Sequence, residues 1–284
     1  EAAAPAPARS RAGSVTGRSR AGAETLCSPR LAGAIPARAG DAPAGSVFLA
    51  GLTGVEGAMR DARIAAQITS GNVPGFLRDL VPVTFAGARM EITLCVTPDY
   101  LALGSERDHV RVPLGLSAAT RVAEEFDMLL PTTRMVDAIY AQADLRLPPR
   151  PMAPGAQMAS TDYFLRHDAT VSEQIRSAGG RAGILVAGQK KDLVLTNRLA
   201  RSPGRVAIYG WHRPGGQPIQ PLSTVHGAGY ADYSHGVRLV SRTAFVDGRA
   251  VDLGTLLSDG RYAGLLSDEG AITGPARLLA ALSR

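Results

Sequence analysis

Between residues 55 and 96 the spacing of apolar side chains switches from helical to alternating, which restricts the chain to a mixed architecture. Val55, Met59, Ile64 and Ile68 recur at helical spacing, and Gly71-Asn72 supplies a stop. Pro74 to Leu80 reads as a short second helix. Val81 to Phe85 and Met90 to Val96 then read as strands joined by Ala86-Gly87-Ala88. In the second of them Met90, Ile92, Leu94 and Val96 alternate with Glu91, Thr93 and Cys95. Shorter strands are expected at Tyr100–Leu103 and His109–Val112. Helical patterns return over Ser117–Met128 and from Pro131-Thr132, with Met135, Val136, Ile139 and Tyr140 on one face.

Past Ser172 the pattern is strand-rich. Gly183–Ala187, Leu193–Thr196, Val206–Trp211, Pro218–Leu222 and Arg238–Val246 are strand candidates, with hairpin turns at Pro214-Gly215-Gly216 and Asp247-Gly248. Short helices follow from Leu253. This order predicts an α+β fold, a helical N-terminal part packed on a mainly antiparallel sheet formed largely by the C-terminal half. Residues 1–46, rich in Ala, Pro and Arg, read as a disordered or loosely attached tail, and residues 47–284 as a single α+β domain.

Composition excludes several classes. The net charge is +6, but much of the excess lies in the first 40 residues, and no basic stripe with interleaved aromatics suggests nucleic-acid binding. No apolar run reaches the roughly 18 residues of a membrane span, so no transmembrane segment is expected. The Ala/Pro-rich opening is the kind that follows a cleaved signal peptide, and a secreted or periplasmic location is expected. Two cysteines, Cys27 and Cys95, are too few for a zinc module. They could pair, but an idle Cys27 and a buried Cys95 are the simpler expectation.

Chemistry concentrates between Val206 and Val240. This stretch holds three of the five histidines, the only tryptophan and three of the seven tyrosines. His212, His226 and His235 bring groups that titrate near neutrality, beside Asp232 and Ser234. In a hydrolytic centre Ser234 would be the nucleophile, His226, His212 or His235 the base, and Asp232 or Asp192 the orienting acid. His235 neighbours Ser234 in sequence and would face away from it on a strand. Arg238, Trp211, Tyr230, Tyr233, Lys191 and Gln220 are the candidate substrate contacts. Asp, Ser and Gly are equally the residues that turns use. Lys190 and Lys191 are the only lysines, and Lys190-Lys191-Asp192 reads either as a solvated strand entry or as an anion contact. The histidine spacings fit no zinc motif, so neither metal nor cofactor is expected. His167-Asp168 reads as a strand-to-helix junction, and Gly51–Gly57 lacks the Lys-Ser/Thr of a phosphate loop.

His226-Gly227 followed by Ser234-His235-Gly236-Val237-Arg238 resembles the active-site signature of L,D-transpeptidases, over about a dozen residues. Val237 stands where that family has its nucleophilic cysteine, and the His-to-Ser interval is shorter, so the resemblance implies a cell-wall context and no thiolate chemistry. From Leu80 to Val240, through Leu130–Asp137 and Lys190–Asn197, the chain also resembles a group of exported bacterial proteins without an assigned activity. The leading expectation is an exported hydrolase of an amide or ester bond in cell-wall or related extracellular material. A non-catalytic glycan- or peptide-binding protein with a degenerate cleft is the alternative, and a metal-dependent hydrolase a second. A cell-wall peptide or glycan is the expected partner, and the sequence leaves the oligomeric state open.

Overall fold

Cys95 lies at 0% exposure in the central strand of the main sheet, and a disulfide joins it to Cys27. The computed structural model describes residues 22–23 and 25–273. The bond corrects the expectation of an idle Cys27, and with it the extent of the tail. Cys27, Ala32 and Ile35 are buried in the same hydrophobic cluster as Leu94 and Val96. Arg38 donates to Asn72 Oδ1 at 2.8 Å and to the Ala42 carbonyl. Low complexity concealed a segment that a covalent tie and a few apolar anchors hold in place. The rest of the expected tail, residues 1–21, lies outside the described residues.

After that segment come α1 (Gly45–Ala50), α2 (Gly57–Thr69), a 3-10 turn at Gly75–Arg78, and the hairpin β1 (Val81–Ala86) and β2 (Glu91–Val96). The short pair β3 (Ala102–Gly104) and β4 (His109–Arg111) precedes α3 (Leu116–Glu125), β5 (Met128–Leu129), α4 (Thr133–Gln142) and β6 (Leu145–Arg146). Then follow α5 (Thr161–Ser177), β7 (Val186–Ala187), β8 (Lys191–Leu193), α6 (Arg198–Arg201), β9 (Ile208–His212) and β10 (Pro218–Ser223). The chain continues through β11 (His235–Gly236), β12 (Val240–Ser241), β13 (Thr243–Val246), β14 (Arg249–Asp252), α7 (Leu253–Ser258) and α8 (Gly260–Leu266).

The fold is α+β and its sheets are mainly antiparallel. In the main sheet β2 pairs along its whole length with β1, and on its other edge with β12 at Val96 and β13 at Ile92 and Thr93. The register leaves β2 buried on both faces, so Thr93 and Cys95 are as hidden as Ile92 and Leu94. The second sheet runs β10-β9-β8-β11, all from the C-terminal half, with β8 and β11 parallel. Asp247 and Gly248, both at positive φ, turn β13 into β14.

α3 opens from Gly115 and ends at Glu125, not over Ser117–Met128 as the pattern predicts, and Met128 lies in β5. Other helices are capped by polar side chains. The Thr132 hydroxyl accepts from Met135 N to open α4, and Asp252 accepts from Thr255 N to open α7. Ser160 caps α5 by accepting from Tyr163 N. This helix is the largest departure from expectation: His167 and Asp168 lie inside it, not at a strand-to-helix junction. Its apolar positions are interrupted by buried His167 and Asp168, which weakens the hydrophobic period on which a helix is recognised.

Candidate functional site

The second sheet aligns Gly210, Lys191 and His235 across three neighbouring strands. Paired residues share a face, so Lys191 and His235 project to the same side. Gly210 and Trp211 both adopt a positive φ, of 109° and 57°, which breaks the alternation of β9. The Trp211 ring turns to the Lys191 side, with Lys191 Nζ 5.0 Å from the ring centroid. His212 then turns toward α4. Its Nε2 is 2.8 Å from Asp137 Oδ1, and its ring stacks on Tyr140 at 4.6 Å between centroids. Tyr209, the strand partner of Asp192, donates to the same Asp137 carboxylate.

The expected site is therefore divided. His226, Tyr230, Asp232, Ser234, His235, Lys191 and Trp211 form one group, and His212 with Asp137, Tyr140 and Tyr209 forms another. The positive φ at Trp211 separates them, because an unbroken alternation would have aimed the two neighbouring rings the other way.

In the first group Asp232 is the organising residue. Its Oδ1 accepts the Ser234 backbone N–H at 2.8 Å and the Ser234 hydroxyl at 2.6 Å. Its Oδ2 accepts the Tyr230 phenol at 3.0 Å and lies 3.9 Å from His235 Nε2. Burial acts to raise the Asp232 pKa, but His235, the two Ser234 hydrogen bonds and Lys191 outweigh it and hold the carboxyl below its ordinary range. In a serine triad the imidazole stands between hydroxyl and carboxylate. Here the carboxylate takes the hydroxyl directly, and Ser234 is 0% exposed. Residues 232–234 form a turn closed by the Asp232 side chain, the arrangement Asp favours in loops.

His235 is also fully buried, and neither ring nitrogen has a hydrogen-bond partner among the described residues. Burial pushes its pKa down to about 4, so the ring is neutral at pH 7. Its edge meets Tyr230, which stacks on half-exposed His226 at 4.3 Å between centroids. Burial and the Asp232 charge raise the Tyr230 phenol to about 12, which keeps it a donor to Asp232.

The remaining candidates occupy different surroundings. Arg238, expected at a ligand, is 0% exposed and donates to the carbonyls of Thr97 and Val186 at 2.8 and 2.6 Å. Its guanidinium lies 4.4 Å from the Tyr100 ring centroid, and it ties β7 to the end of β2 from inside. Tyr233 is buried against Tyr163 and His167, with its hydroxyl accepting from Met152 N. Gln220 is half-buried on β10 and bonds the neighbouring Pro221 carbonyl. Lys190 is buried and donates to the Tyr233 carbonyl at 2.6 Å, and burial lowers its pKa to about 8.

Sequence reasoning passed over several of the groups in these networks. Asp192, named as a possible orienting acid, accepts the hydroxyl of the overlooked Tyr100 at 2.8 Å, and burial raises its carboxyl to about 6. Asp137, Tyr100, Asp99 and Arg111 carry no local motif. Only long-range pairing brings them to the histidines and lysines. Among the described residues no group of three His, Cys, Asp or Glu side chains is placed to hold a metal ion. No family model, curated protein or solved structure matches the chain.

Proposed function

We propose that the chain is an exported protein that binds a peptide or glycan of cell-wall or related extracellular material, at the rim formed by Lys191, His226 and Tyr230. The observation that carries this reading is the state of Ser234: fully buried, with its hydroxyl committed to Asp232. Groups left half-exposed around it are a cation and two stacked rings, which suit recognition more than nucleophilic attack. Asp232 fixes Tyr230 in the rim through its second oxygen. A disulfide between Cys27 and Cys95 fits an oxidising compartment, and no described helix is long and apolar enough to cross a membrane.

One observation favours a second reading, a hydrolase acting on an amide or ester bond. Among the described residues His235 has no hydrogen bonds; it is a neutral imidazole 3.9 Å from a carboxylate, which is the material of a general base. Both readings are separated by one experiment. Muropeptides and chito-oligosaccharides are titrated into the protein while the fluorescence of Trp211, the sole tryptophan, is followed beside Lys191. Binding predicts a saturable change that Lys191→Ala weakens and Ser234→Ala preserves, with intact ligand recovered by mass spectrometry. Cleavage that His235→Gln abolishes would establish the hydrolase instead. No response to either ligand class would sink the recognition reading.

A further inference from the structure

An open cleft of about 540 Å³ lies away from this rim, lined by β4, one face of α5, Phe76 and the 180–186 segment. Its floor is a buried ionic group. Arg111 reaches Asp99 Oδ2 through Nε at 2.8 Å and Nη2 at 2.6 Å, and Asp168 Oδ1 through Nη1 at 2.8 Å. Behind it lies Lys190, whose strongest charge partner is Asp168. Two cations therefore face two carboxylates, and the floor is compensated within the protein.

The rim is different. Its acids are in use: Asp108 accepts both the backbone N–H and the hydroxyl of Ser46, and Glu106 accepts Phe76 N. Arg107 and Arg181 line the same cleft, are exposed, and have neither ion pair nor hydrogen bond among the described residues. Between floor and rim lie the apolar Phe76, Leu165, Ile175, Ile184 and Val186, interrupted by His109, Ser172 and Arg176, the last already paired with Glu173. The cleft thus offers uncommitted cations around an apolar interior whose own charges are already satisfied.

We propose that this cleft is a second binding site, for an organic anion with an apolar body and carboxylate, phosphate or sulfonate groups that pair with Arg107 and Arg181. The apolar body displaces water from the walls, and the guanidinium groups meet the acidic groups at the rim. This site is independent of the Lys191–Tyr230 rim and of what that rim binds.

The test uses a matched pair of fluorescent probes, anionic 8-anilinonaphthalene-1-sulfonate and neutral N-phenyl-1-naphthylamine, titrated into the whole chain. Saturable binding of the sulfonate at one site per chain is expected, at least tenfold tighter than the neutral probe. The double variant Arg107→Ala, Arg181→Ala should lose at least tenfold in sulfonate affinity and leave the neutral probe unchanged. Ala169→Trp, an exposed α5 position that lines the cleft, should block both probes. Near-UV circular dichroism establishes that each variant keeps its packing, so that the probes report the site and not an unfolded state. Equal affinity for both probes, or a sulfonate affinity that the double variant leaves intact, would overturn the proposal. Absence of saturable binding in the parent chain would do the same.

Discussion

The Ser234 hydroxyl and backbone N–H converge on one oxygen of Asp232, at 2.6 and 2.8 Å. This pairing makes Ser234 part of the scaffold that presents Tyr230. Ser234→Ala removes a buried hydrogen bond to a charged group while the N–H contact remains. A loss of about 2 kcal/mol in unfolding free energy is expected from urea denaturation. Ligand affinity should change by less than about twofold, because the rim side chains keep their own partners. A stability equal to that of the parent chain would show that the hydroxyl contributes nothing to the turn.

Stability should fall on the acid side in a defined window. Burial pushes His235 to about 4 and His167 to about 2, against about 6.5 for an unfolded histidine. As pH drops below 6.5 the unfolded chain takes up two protons that the native chain refuses. Asp192 works in the opposite sense, since its native carboxyl, raised to about 6, takes a proton before its unfolded counterpart. Between about pH 6 and 5, above the range in which the unfolded carboxyls of Asp99, Asp232, Asp259 and Glu173 take up protons, the balance is one proton in favour of the unfolded state, a loss of about 1.4 kcal/mol per pH unit. In His235→Phe the remaining histidine and aspartate offset each other, and the profile should be flat over that window. Urea midpoints at pH 6, 5.5 and 5 measure both slopes.

Reduction of the Cys27–Cys95 bond should destabilise the chain strongly. The two cysteines are 68 residues apart, and cross-linking a loop of that length removes about 4 kcal/mol of chain entropy from the unfolded state. A Cys27→Ser, Cys95→Ser double variant should show this loss in urea at neutral pH. Protease should then cut first within residues 25–46, which depend on the tie. A variant with parent stability would mean that Ile35 and the Arg38 contacts hold the segment unaided.

Local chemistry was legible in the sequence wherever the period was local. The switch from helical to alternating spacing marked α2, β1 and β2, and Pro214-Gly215-Gly216 and Asp247-Gly248 marked the turns between paired strands. The histidine-rich stretch was legible as a cluster, but its partition was not. Nothing in Tyr209-Gly210-Trp211-His212 announces the positive φ at Trp211 that sends His212 to Asp137. Arg238 looked like a ligand contact because burial of an arginine depends on two distant carbonyls, at Thr97 and Val186. The start of α5 was misplaced for a related reason: Asp168 is buried against Arg111 of β4 and His167 against the Tyr233 ring, contacts that no single-segment pattern contains.

Arg238 should behave as a structural tie. Arg238→Met keeps much of the volume but leaves the Thr97 and Val186 carbonyls without their donors. A loss of about 3 kcal/mol is expected. Removing this charge also removes an influence that holds Asp192 down, so the Asp192 carboxyl should titrate at a higher pH than in the parent chain. Carbon-detected NMR of the aspartate carboxyls reads that shift. Weakened binding at the Lys191 rim without loss of stability would instead return Arg238 to the ligand.

Gly236 explains why a glycine follows His235, and the reason is packing. A Cβ at this position would lie 2.5 Å from Tyr100 Cδ1, 2.8 Å from Tyr100 Cε1 and 2.9 Å from Lys190 Cβ. Tyr100 cannot easily retreat, because its hydroxyl donates to Asp192 and its ring is covered by Arg238. Lys190 is held in turn by the Tyr233 carbonyl. Gly236→Ala should therefore cost about 2 kcal/mol through overpacking, and it should loosen the Tyr100–Asp192 bond. The same substitution at Gly215, whose Cβ would meet nothing within 4 Å, is the control and should be close to neutral. Thermal unfolding of both variants decides the matter: equal melting temperatures would show that Tyr100 moves aside freely, and that the glycine next to His235 serves some purpose other than close packing.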